Sequence, residues 1–192
     1  MEIGSWTINI QIGKAPQKIA SAVSELGERL IGAEYNFIAY LGSQIVNGVN
    51  HAVLAEQILT TGKDTKNVVI LIFNEKDGKV TLVAIDRVIT QGETFGGISV
   101  NIQTEIPGEA LATFNKAFEG FVGSNIKPFA LLGTQITNGV NYIFITSVEP
   151  VVENPEEKVA IVVVNRTSKE VRIMNLLSSK DNVISLGYAF SW

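Results

Sequence analysis

Histidine occurs once in the 192 residues, at His51, and cysteine does not occur at all. A Cys–His pair, a thiolate metal site and a disulfide are therefore ruled out. A Ser–His–Asp arrangement would need partners for His51 that no spacing supplies. His51 itself reads as a strand residue facing solvent. Glu153, Glu156 and Glu157 flank Pro155 and read as a solvated loop. The glycines of residues 92–97, GETFGG, lack the strand-to-helix setting of a phosphate-binding fingerprint. An enzyme is thus the least supported class, and no metal or cofactor is expected. What remains is the chemistry of recognition, and the residues suited to it are written twice. Residues 41–50 read LGSQIVNGVN and residues 132–141 read LGTQITNGVN, eight of ten identical at an offset of 91. Gln44 offers an amide that both donates and accepts, Val46 a compact apolar contact, and Gly48 a backbone without a Cβ that another chain can approach closely.

The elements that position this segment are duplicated too. Asn74 matches Asn165, Pro16 matches Pro107 and Gly32 matches Gly123, all at the same offset of 91. Self-similarity at a long fixed period marks a repeated supersecondary unit, so residues 1–95 and 96–192 are expected as two domains. Each opens on an alternating strand, Trp6, Ile8, Ile10 and Ile12 in the first copy, Ile98, Val100 and Ile102 in the second. A helix follows, with Pro16 or Pro107 in its first turn and Gly32 or Gly123 at its C-terminal cap. Its apolar face is Ile19, Ala22, Val23, Leu26 and Leu30 in one copy, and Leu111, Phe114, Phe118, Phe121 and Val122 in the other. Asn47-Gly48 and Asp77-Gly78 are hairpin turn signals. Thr167-Ser168, the counterpart of the latter without a glycine, predicts a longer or looser connection. The runs 68–73 and 159–164 are apolar at every position, so both faces of those strands should be covered, the second by the sister unit. The expected class is α+β: two tandem units, each an antiparallel sheet of four to five strands packed on one helix. Residues 182–192 add an extra C-terminal strand or strap. Trp6 and Trp192 read as packing at strand ends, with an aromatic binding patch as the alternative.

Composition sets outer limits. The chain is 46% apolar and 18% charged with a net charge of −4, which suits a globular protein and disfavours a nucleic-acid partner. No apolar run reaches the roughly 20 residues that a membrane helix requires, so no membrane partner is expected. The opening MEIGSWTINIQ has neither a basic segment nor an apolar core of signal-peptide type. The expectation is a cytoplasmic protein by default.

Gln44-Ile45-Val46-Asn47-Gly48 fits the Q-x-V-x-G pattern of the cystatins, and the order strand, helix, strand, turn, strand, hairpin resembles that family. The second copy, Gln135-Ile136-Thr137-Asn138-Gly139, has Thr in place of Val. The resemblance covers each repeat in layout and about ten residues in sequence. It implies a reversible inhibitor or binder of papain-like cysteine proteases that occludes the active-site cleft. Gly4, Gln44, Ile45, Val46, Asn47 and Gly48 would form the wedge, and the residues from Gln135 to Gly139 a possible second site. The family's third wedge element, a Pro-Trp hairpin, has no counterpart: residues 75–79 read EKDGK and 166–169 read RTSK. The alternative is a non-inhibitory interaction or scaffolding module. A further expectation is strain at Val46 beside the tight turn, which would favour strand exchange and a strand-exchanged dimer.

Overall fold

The computed structural model describes residues 4–60, 65–92 and 96–178; the tail expected at 182–192, with Trp192, lies outside them. Long β-branched runs dictate the architecture. Val68, Val69, Ile70, Leu71, Ile72 and Phe73 are all at most 1% exposed, which only a strand covered on both faces allows. The first unit contains β1 (Trp6–Ile12), α1 (Gln17–Ser24), α2 (Leu26–Arg29), β2 (Ala33–Ile45), β3 (Val49–Leu59), β4 (Thr65–Lys76) and β5 (Lys79–Thr90). The second contains β6 (Ile98–Gln103), α3 (Gly108–Ala117), β7 (Ser124–Thr137), β8 (Gly139–Pro150), β9 (Lys158–Asn165) and β10 (Val171–Ser178). Two compact units divide between Thr90 and Gln91. Each holds one five-stranded antiparallel sheet, ordered β1-β2-β3-β4-β5 in the first and β10-β9-β8-β7-β6 in the second.

The expected α+β class, with two tandem cystatin-like units each packed on one helix, is corrected. Among the described residues the protein is mostly β, with 60% strand and 13% helix. The helices are shorter than the apolar spacing suggests. Pro16 and Pro107 lie just before them as N-caps. α1 stops at Ser24, and α2 adds only four residues before Leu30 turns extended. α3 stops at Ala117, three residues before Gly120 with its φ of +74°. Phe121 and Val122 continue the helical spacing but not the helix, and neither Gly32 nor Gly123 is the cap. The strands meanwhile run to 14 residues in β7. The cores follow suit. Ile19, Val23 and Leu26 meet a larger strand contribution from Tyr40, Val53, Ala55, Val69, Leu71 and Phe73. In the second unit Ala110 and Phe114 meet Leu131, Tyr142, Phe144, Val162 and Val164.

Both long strands β2 and β7 carry two register breaks, at 37/39 and 40/42 and at 128/130 and 131/133. Pro128 sits at one of them, where a missing N–H is tolerated inside a sheet. Just past the second lies Gly42 or Gly133. A Cβ there would stand 2.3 Å from the carbonyl oxygen of Thr7 or Ser99, so the sheet closes onto β1 and β6 only over a glycine.

Candidate functional site

The repeated segment forms the β2–β3 hairpin. Ile45 pairs with Val49, leaving Val46, Asn47 and Gly48 as the connection. Positive φ falls on Asn47 (+45°) and Gly48 (+113°), residues that tolerate it. Val46 is outside that region, so the expected strain at Val46 is not there. The β9–β10 connection runs from Asn165 to Val171 and is longer than the Asp77-Gly78 turn, as the missing glycine predicts.

Behind the hairpin tip lies a line of amides, buried at Gln44 and Asn50 and half-buried at Asn74. Gln44, Asn50 and Asn74 are register partners on β2, β3 and β4. Asn74 donates to Asn50 Oδ1 at 2.8 Å, Asn50 donates to Gln44 Oε1 at 3.1 Å, and Gln44 Nε2 donates to the carbonyl of Gly4 at 2.7 Å. The second unit repeats it. Asn165 donates to Asn141 Oδ1 at 2.8 Å, Asn141 to Gln135 Oε1 at 2.9 Å, and Gln135 to the carbonyl of Gly96 at 2.8 Å. Gln44 is 2% exposed and Gln135 5%. Their amides are committed to their own fold and do not face a partner. A carboxamide suits this place because it donates on one side and accepts on the other without charge.

The other wedge residues divide into held and exposed. A Cβ on Gly48 would lie 2.7 Å from the carbonyl oxygen of Glu75, and one on Gly139 2.5 Å from Oγ1 of Thr167. Both glycines therefore seat the tip on the next hairpin. Gly4 (φ +92°) donates its N–H to the carbonyl of Ile45 at 3.1 Å, and Gly96 (φ +84°) is its counterpart in the second unit. Lys76 Nζ reaches Asn47 Oδ1 at 2.7 Å, tying the β4–β5 turn to the β2–β3 tip. Gly4, the tip and that turn thus share one edge of the first unit, on which Ile45 is 41% exposed and Val46 39%. On the second unit Ile136 is 59% exposed, with Thr137 and Asn138 exposed beside it. There Asn165 also donates to the carbonyl of Asn138 at 3.3 Å and accepts from the N–H groups of Thr167 and Ser168.

His51 is not solvent-facing as expected. It is 7% exposed, with Nδ1 2.9 Å from the Tyr40 hydroxyl. Nε2 has no hydrogen bond and lies 3.7 Å from Glu75 Oε2, while Lys18 holds Glu75 Oε1 at 2.5 Å. Burial lowers the His51 pKa, and the Glu75 charge opposes this in part. Burial also raises the Tyr40 hydroxyl. In the second unit Tyr142 replaces His51 beside an Arg166–Glu109 ion pair. Burial raises the Tyr142 pKa, reinforced by Glu109 and opposed by Arg166. Trp6 is 2% exposed, in keeping with its packing role.

The amide partners Asn50, Asn74, Asn141 and Asn165 were not among the expected site residues. Their signal in the sequence was repetition: Asn50 and Asn141 end the matched decamers, and Asn74 and Asn165 match at the same offset. Compared with known proteins, the chain matches no family model and no curated protein.

Proposed function

We propose that the chain is a protein-binding module that inserts the β2–β3 hairpin edge of its first unit into a narrow cleft, with papain-like cysteine proteases as the target class. The observation that carries this reading is a pair of apolar side chains, Ile45 and Val46, exposed at 41% and 39% on a hairpin tip braced by Gly4 and Lys76. A tip braced on two sides loses little conformational freedom on binding, which favours affinity. The Q-x-V-x-G resemblance supplies the target class.

The second reading is a non-inhibitory interaction or scaffolding module. Commitment of Gln44 to the amide line favours it, as does the charged turn at residues 75–79, which offers no aromatic anchor.

Titration of papain activity separates the two, using the wild type beside Val46→Asp. Val46 is exposed, so its substitution leaves the fold intact, whereas any side chain at Gly48 would collide with Glu75. Inhibition that Val46→Asp abolishes supports the cleft reading. Absence of inhibition by the wild type at high micromolar concentration retires papain and leaves the interaction module.

A further inference from the structure

We propose that the second unit carries a docking surface, at the far end of β7 and β8 from the hairpin tip, for an extended protein segment bearing one bulky apolar side chain flanked by Lys or Arg. This surface is independent of the first unit's hairpin edge.

Rings step outward from the core there: Phe144 to Phe114 at 5.1 Å, Phe114 to Phe118 at 4.7 Å, Phe118 to Phe121 at 5.7 Å. Gly120 reverses the chain just after α3, and Phe121 emerges 52% exposed. Beside it Val122 is 87% exposed. The Val151 N–H donates to the carbonyl of Gly123 at 2.8 Å, which brings Val151 (65% exposed) and Val152 (61%) alongside. Phe118, Phe121 and Ile126 line a pocket of about 180 Å³ with Ser124, Asn125 and Lys127 at its polar side. A depression of that size takes a single side chain rather than a cofactor.

The first unit is an internal control for what the fold needs. At the offset of 91 it has Gly27 for Phe118, Leu30 for Phe121 and Thr60 for Val151, while Ile31 matches Val122 and is likewise exposed. Leu30 packs against the first unit's core, and the same backbone bond, Thr60 N–H to the Gly32 carbonyl at 2.9 Å, forms without the valine. The fold therefore does not require Phe118, Phe121 or Val151, which set the second unit's surface apart. An apolar centre of this kind on a surface marks an interface. Its surroundings specify the partner. Glu119, Glu149 and Glu153 are exposed on the same loops and strand end and outnumber Lys116 and Lys127 there, so a basic flank is attracted on balance while a second copy brings carboxylates against carboxylates.

The test is NMR on the isotope-labelled full chain with three short peptides: one with Phe-Leu between lysines, one with the lysines changed to glutamates, and one with Phe-Leu changed to Ser-Ser. The expected result is that the first peptide shifts the signals of Phe121, Val122, Ile126 and Val151, and that the other two bind about tenfold more weakly or not at all. Val122→Ser with Val151→Ser, both at exposed positions, is expected to lower affinity by a similar factor while leaving first-unit signals in place. Equal binding of the glutamate or serine peptide, shifts spread away from these residues, or unchanged affinity in the variant overturns the proposal. Self-association of the free protein through these signals overturns the choice of partner.

Discussion

Glu75 in the first unit and Arg166 in the second occupy the same place on their sheets and carry opposite charges. Each is bridged to a helical residue with the sign reversed to match, Lys18 at 2.5 Å and Glu109 at 2.6 Å. The two units thus brace helix to sheet with the same geometry and inverted polarity. A helix seated on the other unit's sheet would meet a like charge.

Lys18→Glu should therefore lower the urea midpoint of the first unit modestly, because all four groups are partly exposed. Adding Glu75→Arg should restore it. The pair reversal also erases the difference between the units, so refolded Lys18→Glu, Glu75→Arg protein is expected to show more exchanged dimer by size-exclusion chromatography than the wild type. A double variant no more stable than the single one would mean that the bridge contributes no coupling.

Breaking the amide line should cost far more. Asn50→Leu removes the link between Gln44 and Asn74, breaking two hydrogen bonds where Gln44 is only 2% exposed. The expected loss is about 2–4 kcal/mol, confined to the first unit. Asn141→Leu should do the same to the second. Native-state hydrogen exchange, compared between β2–β4 and β7–β9, reads the two separately.

Two turn glycines at positive φ should respond differently. Gly48 and Gly78 both have positive φ, +113° and +76°, but only Gly48 has backbone within contact of an added Cβ. Gly78→Ala is expected to cost about 1 kcal/mol, the conformational term alone. Gly48→Ala should cost about 3 kcal/mol, since the β4 backbone must also move. Equal losses in thermal melts would show that the tip can lift from Glu75 freely.

His51 gives the protein a pH dependence of defined sign. Its folded pKa lies below the usual 6.5 because burial disfavours the cation. The unfolded chain thus binds the proton more readily, and the stability is full above 6.5. It is lost as pH falls from 6.5 through the folded value. The single imidazole makes the NMR titration unambiguous. His51→Tyr, which installs the second unit's residue, should flatten the slope in that window.

The turns were legible because their chemistry is local. Asp77-Gly78 makes a tight turn, and Thr167-Ser168 a longer one. Helix length was not, since apolar spacing persists through Phe121 and Val122 after the helix has stopped at Ala117. His51 was misplaced because alternation assigns a solvent side that β3 lacks: residues from Asn50 to Ala55 are all buried. Gln44 looked like a contact for a partner because an amide's internal partners come from register. Asn50 and Asn74 lie on different strands, and only pairing brings all three into line.

That line also limits how the sequence can change. Replacing any one of Gln44, Asn50 or Asn74 breaks a hydrogen bond to its neighbour, so a single change in the set is penalised. Gly42 and Gly48 are pinned separately by the backbones facing them. Two similar units would then differ first wherever a residue can be exchanged alone. Residues 41–50 and 132–141, identical at eight of ten positions, hold Gly42, Gln44, Gly48 and Asn50 and their counterparts, the positions where a single exchange is penalised.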